Sequence, residues 1–365
     1  MSEQKQHQTV YIGTYTENLP FVQGKGEGIY SYRFDLATGE LTRISQAGGI
    51  RNPSYLILDS KQEHLYAVQE TNDDDDAAVY ALALDSKTAT FQHLNRQPAH
   101  GGLPCHLTLD PSERFVLIAN YLTGSVAVYP VAEDGGLGEA TSVIQHEGAS
   151  VNADRQLGPH AHSVTFGPDG LLFVADLGID KLMIYRLDSE NGSLSPADPP
   201  NVELHPGAGP RHFKFHPCGK FAFANGELDA TVTVFSYEQG NLTPLQSLST
   251  LPDGSDAHLS TAAIRVHPSG RFVYVSNRGH DSIAAFEFDE ASGKLNAIGH
   301  TSTQGKNPRD FEIDPSGAFL LAGNQDSGTV VTFRIDAITG ELSPTGHTAD
   351  VPNPVCILPV WPVTR

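Results

Sequence analysis

The sequence has few cysteines, and they form no recognisable framework. Cys105, Cys218 and Cys356 are the only three among 365 residues, and no two of them form a Cys-x-x-Cys pair. An odd, widely spaced set argues against a disulfide-stapled fold and is typical of a reducing compartment. We therefore expect a cytoplasmic protein. The chain is long enough to bury a large apolar core.

Basic residues are also scarce. Lysine and arginine number 23 against 43 aspartates and glutamates, which gives a formal net charge of −20. Binding to nucleic acid or to an anionic membrane requires a basic surface, so the composition predicts neither partner. A local cluster of arginine and histidine would be informative here because it would oppose the overall charge.

Long apolar runs and long segments of helical period are both missing. No run approaches the roughly 20 residues of a membrane helix, and residues 1–8 lack the apolar segment of a secretory signal. We expect residues 1–8 to be a disordered tail and residues 9–365 to be a single domain. The 35 glycines and 24 prolines favour many short strands joined by turns.

A unit of about 50 residues recurs along the chain. Each unit has a strand, an Asp/His-Pro or Gly-Pro turn, a second and a third strand, and usually a fourth after a glycine turn. The turn prolines are Pro111, Pro168, Pro217, Pro268 and Pro315. Four antiparallel strands per unit are typical of a propeller blade.

The ends of the chain complement each other. Six units are complete, whereas the N-terminal unit lacks its innermost strand, and residues 353–360 supply such a strand without a partner. Joining the two would make a seventh blade and remove the open sheet edges. The prediction is an all-β, seven-bladed β-propeller with four antiparallel strands per blade, closed by the C-terminal strand.

One hairpin, within residues 209–228, is predicted to place an arginine beside a carboxylate. Arg211 opens a strand that runs to Phe215, residues 216–219 form the turn, and a second strand returns just before Glu227. Arg211 and Glu227 should therefore meet at the edge away from the turn. An arginine beside a carboxylate can bind an anion and move a proton.

Sorting the units by rim separates structural from functional candidates. The turn rim collects Asp110, His216, His267 and Asp314, which we interpret as turn-capping residues. At the opposite rim the strand starts are Asn52, His106, His160, His162, Arg211 and Arg309. The strand ends there are Glu70, Asn120, Tyr121, Asp176, Glu227, Asn277, Arg278, Asn324 and Gln325, and an insert adds Arg155 and Gln156. These converging polar groups predict a pocket for a small anion.

Structural interpretations compete at several of these positions. Asn120, Asn277 and Asn324 are expected to bind backbone between blades. His160 and His162 would point the same way in a strand, but no third metal ligand lies nearby in sequence, so we expect no metal. Residues 73–76 are four aspartates without calcium-loop spacing, which indicates a solvated loop. With no Gly-x-Ser-x-Gly motif and no Cys/His nucleophile pair evident, an acyl-enzyme is not expected.

Several motifs together resemble the seven-bladed propeller lactonase family, which includes bacterial cytoplasmic 6-phosphogluconolactonases and fungal carboxy-muconate cyclases. The motifs occur in order over nearly the whole chain. They are Arg155-Gln156, Gly158-Pro159-His160-Ala161-His162, Val174-Ala175-Asp176-Leu177-Gly178, Gly209-Pro210-Arg211-His212, Glu227-Leu228, Ser276-Asn277-Arg278-Gly279 and Gly323-Asn324-Gln325-Asp326-Ser327.

The resemblance implies a lactone as substrate or product and no cofactor or metal. It assigns the catalytic positions to His162 (or His160), Arg211, Glu227 and Arg278. The further candidates for substrate binding are His106, Arg155, His160, Arg309 and Gln325. One position departs from the family pattern, because Gly226 precedes Glu227 where the family has asparagine.

The hypothesis is hydrolysis of a sugar lactone. Glu227 would act as general base on water, Arg211 and a histidine would stabilise the oxyanion, and the other arginines would bind a phosphate or carboxylate. The partner would be a small anionic lactone or sugar acid, and the protein a monomer or weak homodimer. A lactone-forming cyclase and a non-enzymatic binding propeller are the alternatives, the latter predicting a broad apolar rim.

Overall fold

The computed structural model describes residues 7–72, 76–85 and 87–360, so the aspartates 73–75 of the acidic run lie outside the described residues. Within the described ranges the regular elements are 30 β-strands. They form seven four-stranded antiparallel sheets and one two-stranded sheet. The prediction of a seven-bladed, all-β propeller is therefore confirmed.

The strands follow one another in the regular order expected of repeated blades. The first half comprises β1 (His7–Thr14), β2 (Asn18–Leu19), β3 (Val22–Gln23), β4 (Ile29–Asp35), β5 (Leu41–Ala47), β6 (Leu56–Leu58), β7 (His64–Gln69), β8 (Ala78–Asp85), β9 (Thr90–Pro98), β10 (Pro104–Leu109), β11 (Phe115–Asn120), β12 (Ser125–Pro130), β13 (Ser142–Gln145), β14 (Ala161–Phe166) and β15 (Leu171–Asp176). The second half comprises β16 (Lys181–Leu187), β17 (Leu194–Glu203), β18 (Pro210–Phe215), β19 (Phe221–Gly226), β20 (Thr231–Glu238), β21 (Asn241–Ser249), β22 (Thr261–Val266), β23 (Phe272–Asn277), β24 (Ser282–Asp289), β25 (Lys294–Ser302), β26 (Pro308–Ile313), β27 (Phe319–Asn324), β28 (Thr329–Ile335), β29 (Leu342–Asp350) and β30 (Pro354–Pro359).

The chain ends share one blade, as the sequence predicts. The sheet order there is β30-β1-β4-β5, and Ile12 in β1 is paired with Ile357 on one side and Tyr30 on the other. Strand β1 begins at His7, two residues earlier than expected, because His7 and Gln8 continue the ladder with β4. Residues 1–6 of the expected tail lie outside the described residues.

The inner strands form the wall of a central channel. β6, β10, β14, β18, β22, β26 and β30 contact one another in sequence around the ring. Apolar side chains fill the space between neighbouring sheets; for example, the rings of Phe173 and Phe213 lie 5.3 Å apart in one core cluster. Burial on both faces of each sheet explains the predominantly apolar strands.

The turn rim is structural, as predicted. Asp110 accepts the backbone N–H groups of Ser112 and Phe115, at 2.9 and 2.7 Å. His216 Nδ1 accepts the N–H of Cys218 at 3.1 Å, and its Nε2 lies 3.0 Å from the carbonyl oxygen of Gly270. Both side chains cap their own turns, and His216 also links its blade to the next.

The connection between β1 and β4 has secondary structure of its own. It contains the hairpin β2–β3, which positions Phe21 at the mouth of the channel. In the described ranges, no apolar helix is long enough to cross a membrane.

Packing of the closing strand should contribute measurably to stability. Ile357 is 2% exposed in the core cluster that joins the first and last blades, so Ile357→Ala is expected to lower the free energy of unfolding by about 2–5 kcal/mol. Ile338→Ala is the matched control, because Ile338 is 78% exposed and should change it by no more than about 0.5 kcal/mol. Urea unfolding of both variants measures the difference, and equal midpoints would contradict the closure argument.

Candidate active site

A cavity of about 590 Å³ opens at the rim opposite the turns. Its lining includes six of the nine residues singled out from the sequence: Arg155, His162, Glu227, Arg278, Arg309 and Gln325. The volume lies within the range of small-molecule sites. The rim at which the sequence predicts a pocket therefore contains this cavity, and the functional roles of its residues stay predictions.

Two repeated features of the backbone bring these side chains together. The residue that follows the second strand of each blade donates its N–H to a carbonyl group just before the inner strand, as Glu227 does to Gly209 at 2.8 Å. The inner strands also change register near their start, where Cys105, His162 and Arg309 fall at irregularities of the ladder. Such bulges turn a side chain out of the regular alternation.

Glu227 is the centre of an arginine cluster. One carboxylate oxygen lies 2.7 Å from Arg155 Nη2, and the other lies 2.8 Å from Arg278 Nη2 and 3.1 Å from Arg211 Nε. The side chains of Glu227 and Arg211 are 6% and 4% exposed. The meeting of Arg211 with Glu227 confirms the geometry expected of the hairpin.

The packing of the three arginines around Glu227 shifts the pKa values of the cluster. Burial alone would raise the pKa of Glu227, but the guanidinium groups of Arg278, Arg211 and Arg155 outweigh burial and hold that pKa well below its usual range. Burial, reinforced by repulsion from Arg278, lowers the pKa of Arg211 to about 10. At neutral pH the cluster therefore carries a carboxylate among three cations.

His162 lies beside a cysteine that the sequence did not pair with it. Its Nδ1 is 3.7 Å from Cys105 Sγ, and both residues line the cavity. Burial raises the pKa of the Cys105 thiol, and burial together with Arg211 lowers the pKa of His162 well below its ordinary value. The two groups are therefore a neutral thiol and a neutral imidazole, which is not an activated nucleophile pair.

A second carboxylate, Glu70, lines the same cavity. The hydroxyl group of Tyr15 donates to it, at 3.0 and 2.9 Å from its two oxygens, and Arg309 Nη2 lies 4.0 Å away. Sequence reasoning placed Glu70 on the correct rim but assigned it no role. The available signal was its position in the repeat, since Glu70 follows β7 as Glu227 follows β19.

Three of the nine candidates do not line the large cavity. Arg211 lines a small adjoining cavity. His160 stacks on the ring of Tyr121 with 4.6 Å between ring centroids, and its Nδ1 is 2.8 Å from the carbonyl oxygen of Tyr121. The ring of His162 also packs against Tyr121, at 5.5 Å between centroids, but of the two histidines only His162 lines the cavity.

His106 lies among rings in the channel and is buried. Its ring centroid is 4.0 Å from that of Tyr55 and 5.4 Å from that of His212. Burial lowers the pKa of His106 well below its ordinary value, so the imidazole is neutral. The expected substrate contact of His106 stays a prediction.

The expected backbone role of the rim asparagines is confirmed. The Nδ2 groups of Asn120, Asn277 and Asn324 donate to carbonyl oxygens in inter-blade loops, at 2.9, 2.7 and 3.0 Å. Asn225, one residue earlier in its blade, donates to the carbonyl oxygen of Ala262 and accepts the N–H of His212, so it holds two neighbouring inner strands together.

Metal-ligating groups occur together on the turn rim rather than in the cavity. In the described part of the chain, His216, Cys218 and Glu290 place one candidate ligand atom each within 4.8 Å of one another. The Nδ1 atom of His216 already accepts the N–H of Cys218. His216 and Cys218 lie in the turn between β18 and β19, and Glu290 lies in the connection between β24 and β25, so this cluster is separate from His160 and His162.

Close packing around position 226 explains why the residue there is glycine. A Cβ atom there would lie 2.8 Å from the carbonyl oxygen of Ala208, which accepts the N–H of Leu228, and 2.9 Å from Thr231 Oγ1. The residue before Glu227 must therefore be small in this chain, and the asparagine typical of the family would have to displace backbone.

Substitution of Gly226 should displace the loop that carries Glu227. Gly226→Ala is expected to lower the free energy of unfolding by about 1–3 kcal/mol through overpacking. Gly158→Ala is the matched control, because a Cβ atom there meets nothing within 4 Å. Thermal and urea unfolding of the two variants provide the measurement, and a Gly226→Ala protein as stable as the control would show that the loop adapts freely.

Known proteins share this architecture and sequence. The family model "Lactonase, 7-bladed beta-propeller" matches residues 9–359. The 6-phosphogluconolactonase of Bacillus subtilis is 40% identical over 311 residues, which cover 83% of this chain and 84% of that protein. The 6-phosphogluconolactonase of Formosa agariphila is 34% identical over 311 residues, covering 84% and 86%.

Solved structures agree with this relationship. The periplasmic gluconolactonase of Pseudomonas aeruginosa superposes with a TM-score of 0.91 at 34% identity, covering 97% of this chain and 99% of that one. A structure from Bacteroides fragilis gives 0.92 at 34% identity, covering 99% and 100%. From the family model and these alignments, the chain belongs to the seven-bladed β-propeller lactonase family.

Proposed function

We propose that this protein hydrolyses a sugar lactone, with 6-phosphogluconolactone as its substrate in the pentose phosphate pathway. The observation that carries the proposal is the arginine cluster: Arg155, Arg211 and Arg278 converge on one carboxylate at the cavity, and Arg309 lines the same cavity, in a chain of net charge −20. The names of the relatives in Bacillus subtilis and Formosa agariphila support the phosphorylated substrate.

The arginines of the cavity can bind the two anionic groups of the reaction, which are the substrate phosphate and the oxyanion of the transition state. The side chain of Arg155 is 39% exposed and that of Arg278 is 15% exposed, so both can reach a substrate phosphate while they hold Glu227. A guanidinium group binds phosphate through two parallel hydrogen bonds. Arg211 lies deeper, and its positive charge would stabilise the oxyanion that forms when water attacks the lactone carbonyl.

His162 would assist as a neutral donor. Because its Nδ1 faces Cys105, its Nε2 is the nitrogen available to a ligand in the cavity. A neutral imidazole carrying its proton on Nε2 can donate one hydrogen bond to the oxyanion. His162 and Arg211 are thus the proposed oxyanion-stabilising pair.

A cytoplasmic location is part of the proposal. All three cysteines are free, and Cys218 is exposed, which suits a reducing compartment. The periplasmic location named for the Pseudomonas aeruginosa gluconolactonase belongs to that protein. The expectation of a monomer or weak homodimer stays a prediction.

The activity can be tested with freshly generated 6-phosphogluconolactone. The wild-type protein should accelerate hydrolysis well above the spontaneous rate, and Arg211→Ala and Glu227→Gln should each lower kcat/KM by at least about 100-fold. Arg186→Ala, at an exposed position on β16, is the control for loss of an arginine. Release of acid in a pH-stat measures the rates, and thermal unfolding verifies that each variant is folded.

The same assay separates the alternatives. Glucono-δ-lactone without the phosphate should give a higher KM, because it lacks the group that Arg155 and Arg278 would bind. Formation of a lactone from an unsaturated dicarboxylate by the wild-type protein, without hydrolysis of sugar lactones, would favour the cyclase. Wild-type rates equal to the spontaneous rate on every lactone would favour a binding propeller and contradict the proposal.

A further inference from the structure

The cavity contains two carboxylates in opposite surroundings. Both oxygens of Glu227 contact guanidinium groups, at 2.7, 2.8 and 3.1 Å. Among the described residues, Glu70 has one guanidinium group within 4.0 Å, that of Arg309, and receives a hydrogen bond from the neutral Tyr15 hydroxyl. The two residues occupy equivalent positions in their blades, so the difference comes from their neighbours.

These surroundings affect how readily each carboxylate takes up a proton. Burial raises the pKa of Glu70, and Arg309, Ser54 and Tyr15 offset this effect only in part. Three arginines instead hold the pKa of Glu227 well below its usual range. A general base works best when its pKa lies near the working pH. Two carboxylates whose environments separate them in this way commonly take different roles.

A small cavity beside Glu70 can accommodate the nucleophile. It measures about 10 Å³, adjoins the large cavity, and is lined by polar groups that include Glu70, Arg211, His212 and Arg309. This volume is close to that needed by one water molecule. Within the described residues, His212 Nδ1 is a buried nitrogen without a hydrogen-bond partner, which suits a bound water.

We propose that Glu70 is the general base of the reaction and that Glu227 is a positioning residue that holds Arg155, Arg211 and Arg278 in place. The inference rests on the lactone hydrolysis proposed above. It assigns to Glu70 the proton transfer that the sequence hypothesis gave to Glu227.

The step balances with water as the only co-reactant. The oxygen of a water molecule bonds to the lactone carbonyl carbon while Glu70 takes one of its protons, and the carbonyl oxygen becomes an oxyanion near Arg211. When the carbonyl re-forms, the bond between the carbonyl carbon and the ring oxygen breaks. Glu70 returns its proton to the departing ring oxygen, which becomes the hydroxyl group of the sugar acid.

The groups that act on Glu70 come from four blades. Arg309 on β26 and Arg211 on β18 favour its ionised form, as does the hydrogen bond from Tyr15 after β1. Cys105 on β10 lines the same two cavities and remains a neutral thiol, because burial raises its pKa. Removal of the Tyr15 hydroxyl should therefore make Glu70 easier to protonate.

The first test is Glu70→Gln, which preserves shape and can still accept the Tyr15 hydrogen bond. It should lower kcat by at least about 100-fold with little change in KM, because an amide cannot take a proton from water. Glu341→Gln, at an exposed position, is the matched control and should behave as the wild type. Unchanged thermal unfolding of Glu70→Gln would show that loss of activity is not loss of fold.

The second test is the pH profile of kcat. In the wild type the rate should fall as the pH drops through the pKa of Glu70, since a protonated base is inactive. Tyr15→Phe should shift this acid limb to higher pH, because the donor that stabilises the carboxylate is gone. Glu227→Gln should retain the limb and mainly raise KM.

The outcomes separate the two proposals. Wild-type protein inactive on sugar lactones would overturn both the proposed function and the role of Glu70. Active wild type with Glu70→Gln at near wild-type kcat, or with a limb that disappears in Glu227→Gln, would overturn only the role of Glu70. An acid limb unmoved by Tyr15→Phe would also count against Glu70 as the titrating group.

Discussion

In every blade, the residue after the second strand donates its backbone N–H to a carbonyl group located before the inner strand. The donors are Tyr15, Glu70, Tyr121, Leu177, Glu227, Arg278 and Gln325, with acceptors Asn353, Asn52, Leu103, His160, Gly209, Ser260 and Asn307. This bond fixes one side chain per blade at the same height on the rim. Five of the seven donors line the cavity, and Tyr15 binds one of those five, Glu70.

The propeller converts this sevenfold repeat into an asymmetric site. The seven equivalent positions carry two carboxylates, two phenols, one guanidinium group, one amide and one leucine, so neighbours in the ring determine the charge and proton affinity of each polar group. Glu227 is surrounded by arginines from other parts of the chain, whereas Glu70 is buried next to a phenol. The symmetric scaffold thus allows two equivalent carboxylates to take different chemical roles.

The inner strands add a second set of side chains through irregular pairing. Cys105, His162 and Arg309 lie where the ladder changes register, and Arg211 lies in a similar irregular stretch. Regular alternation would place His160 and His162 on one face; both rings pack against Tyr121, but of the two only His162 lines the cavity. His162 also lies next to Cys105, a contact that spacing along the chain does not indicate.

Strand period, turn prolines and the complementary chain ends were sufficient to predict the number of blades, the closure of the ring and the rim at which the cavity opens, because each is a local pattern of the sequence. They also placed Arg211 beside Glu227, since a single hairpin joins them. Only the tertiary structure decided that Arg155 and Arg278 hold Glu227 and that Tyr15 binds Glu70. Those contacts cross between blades, and their distances depend on the curvature of the whole ring rather than on any one segment.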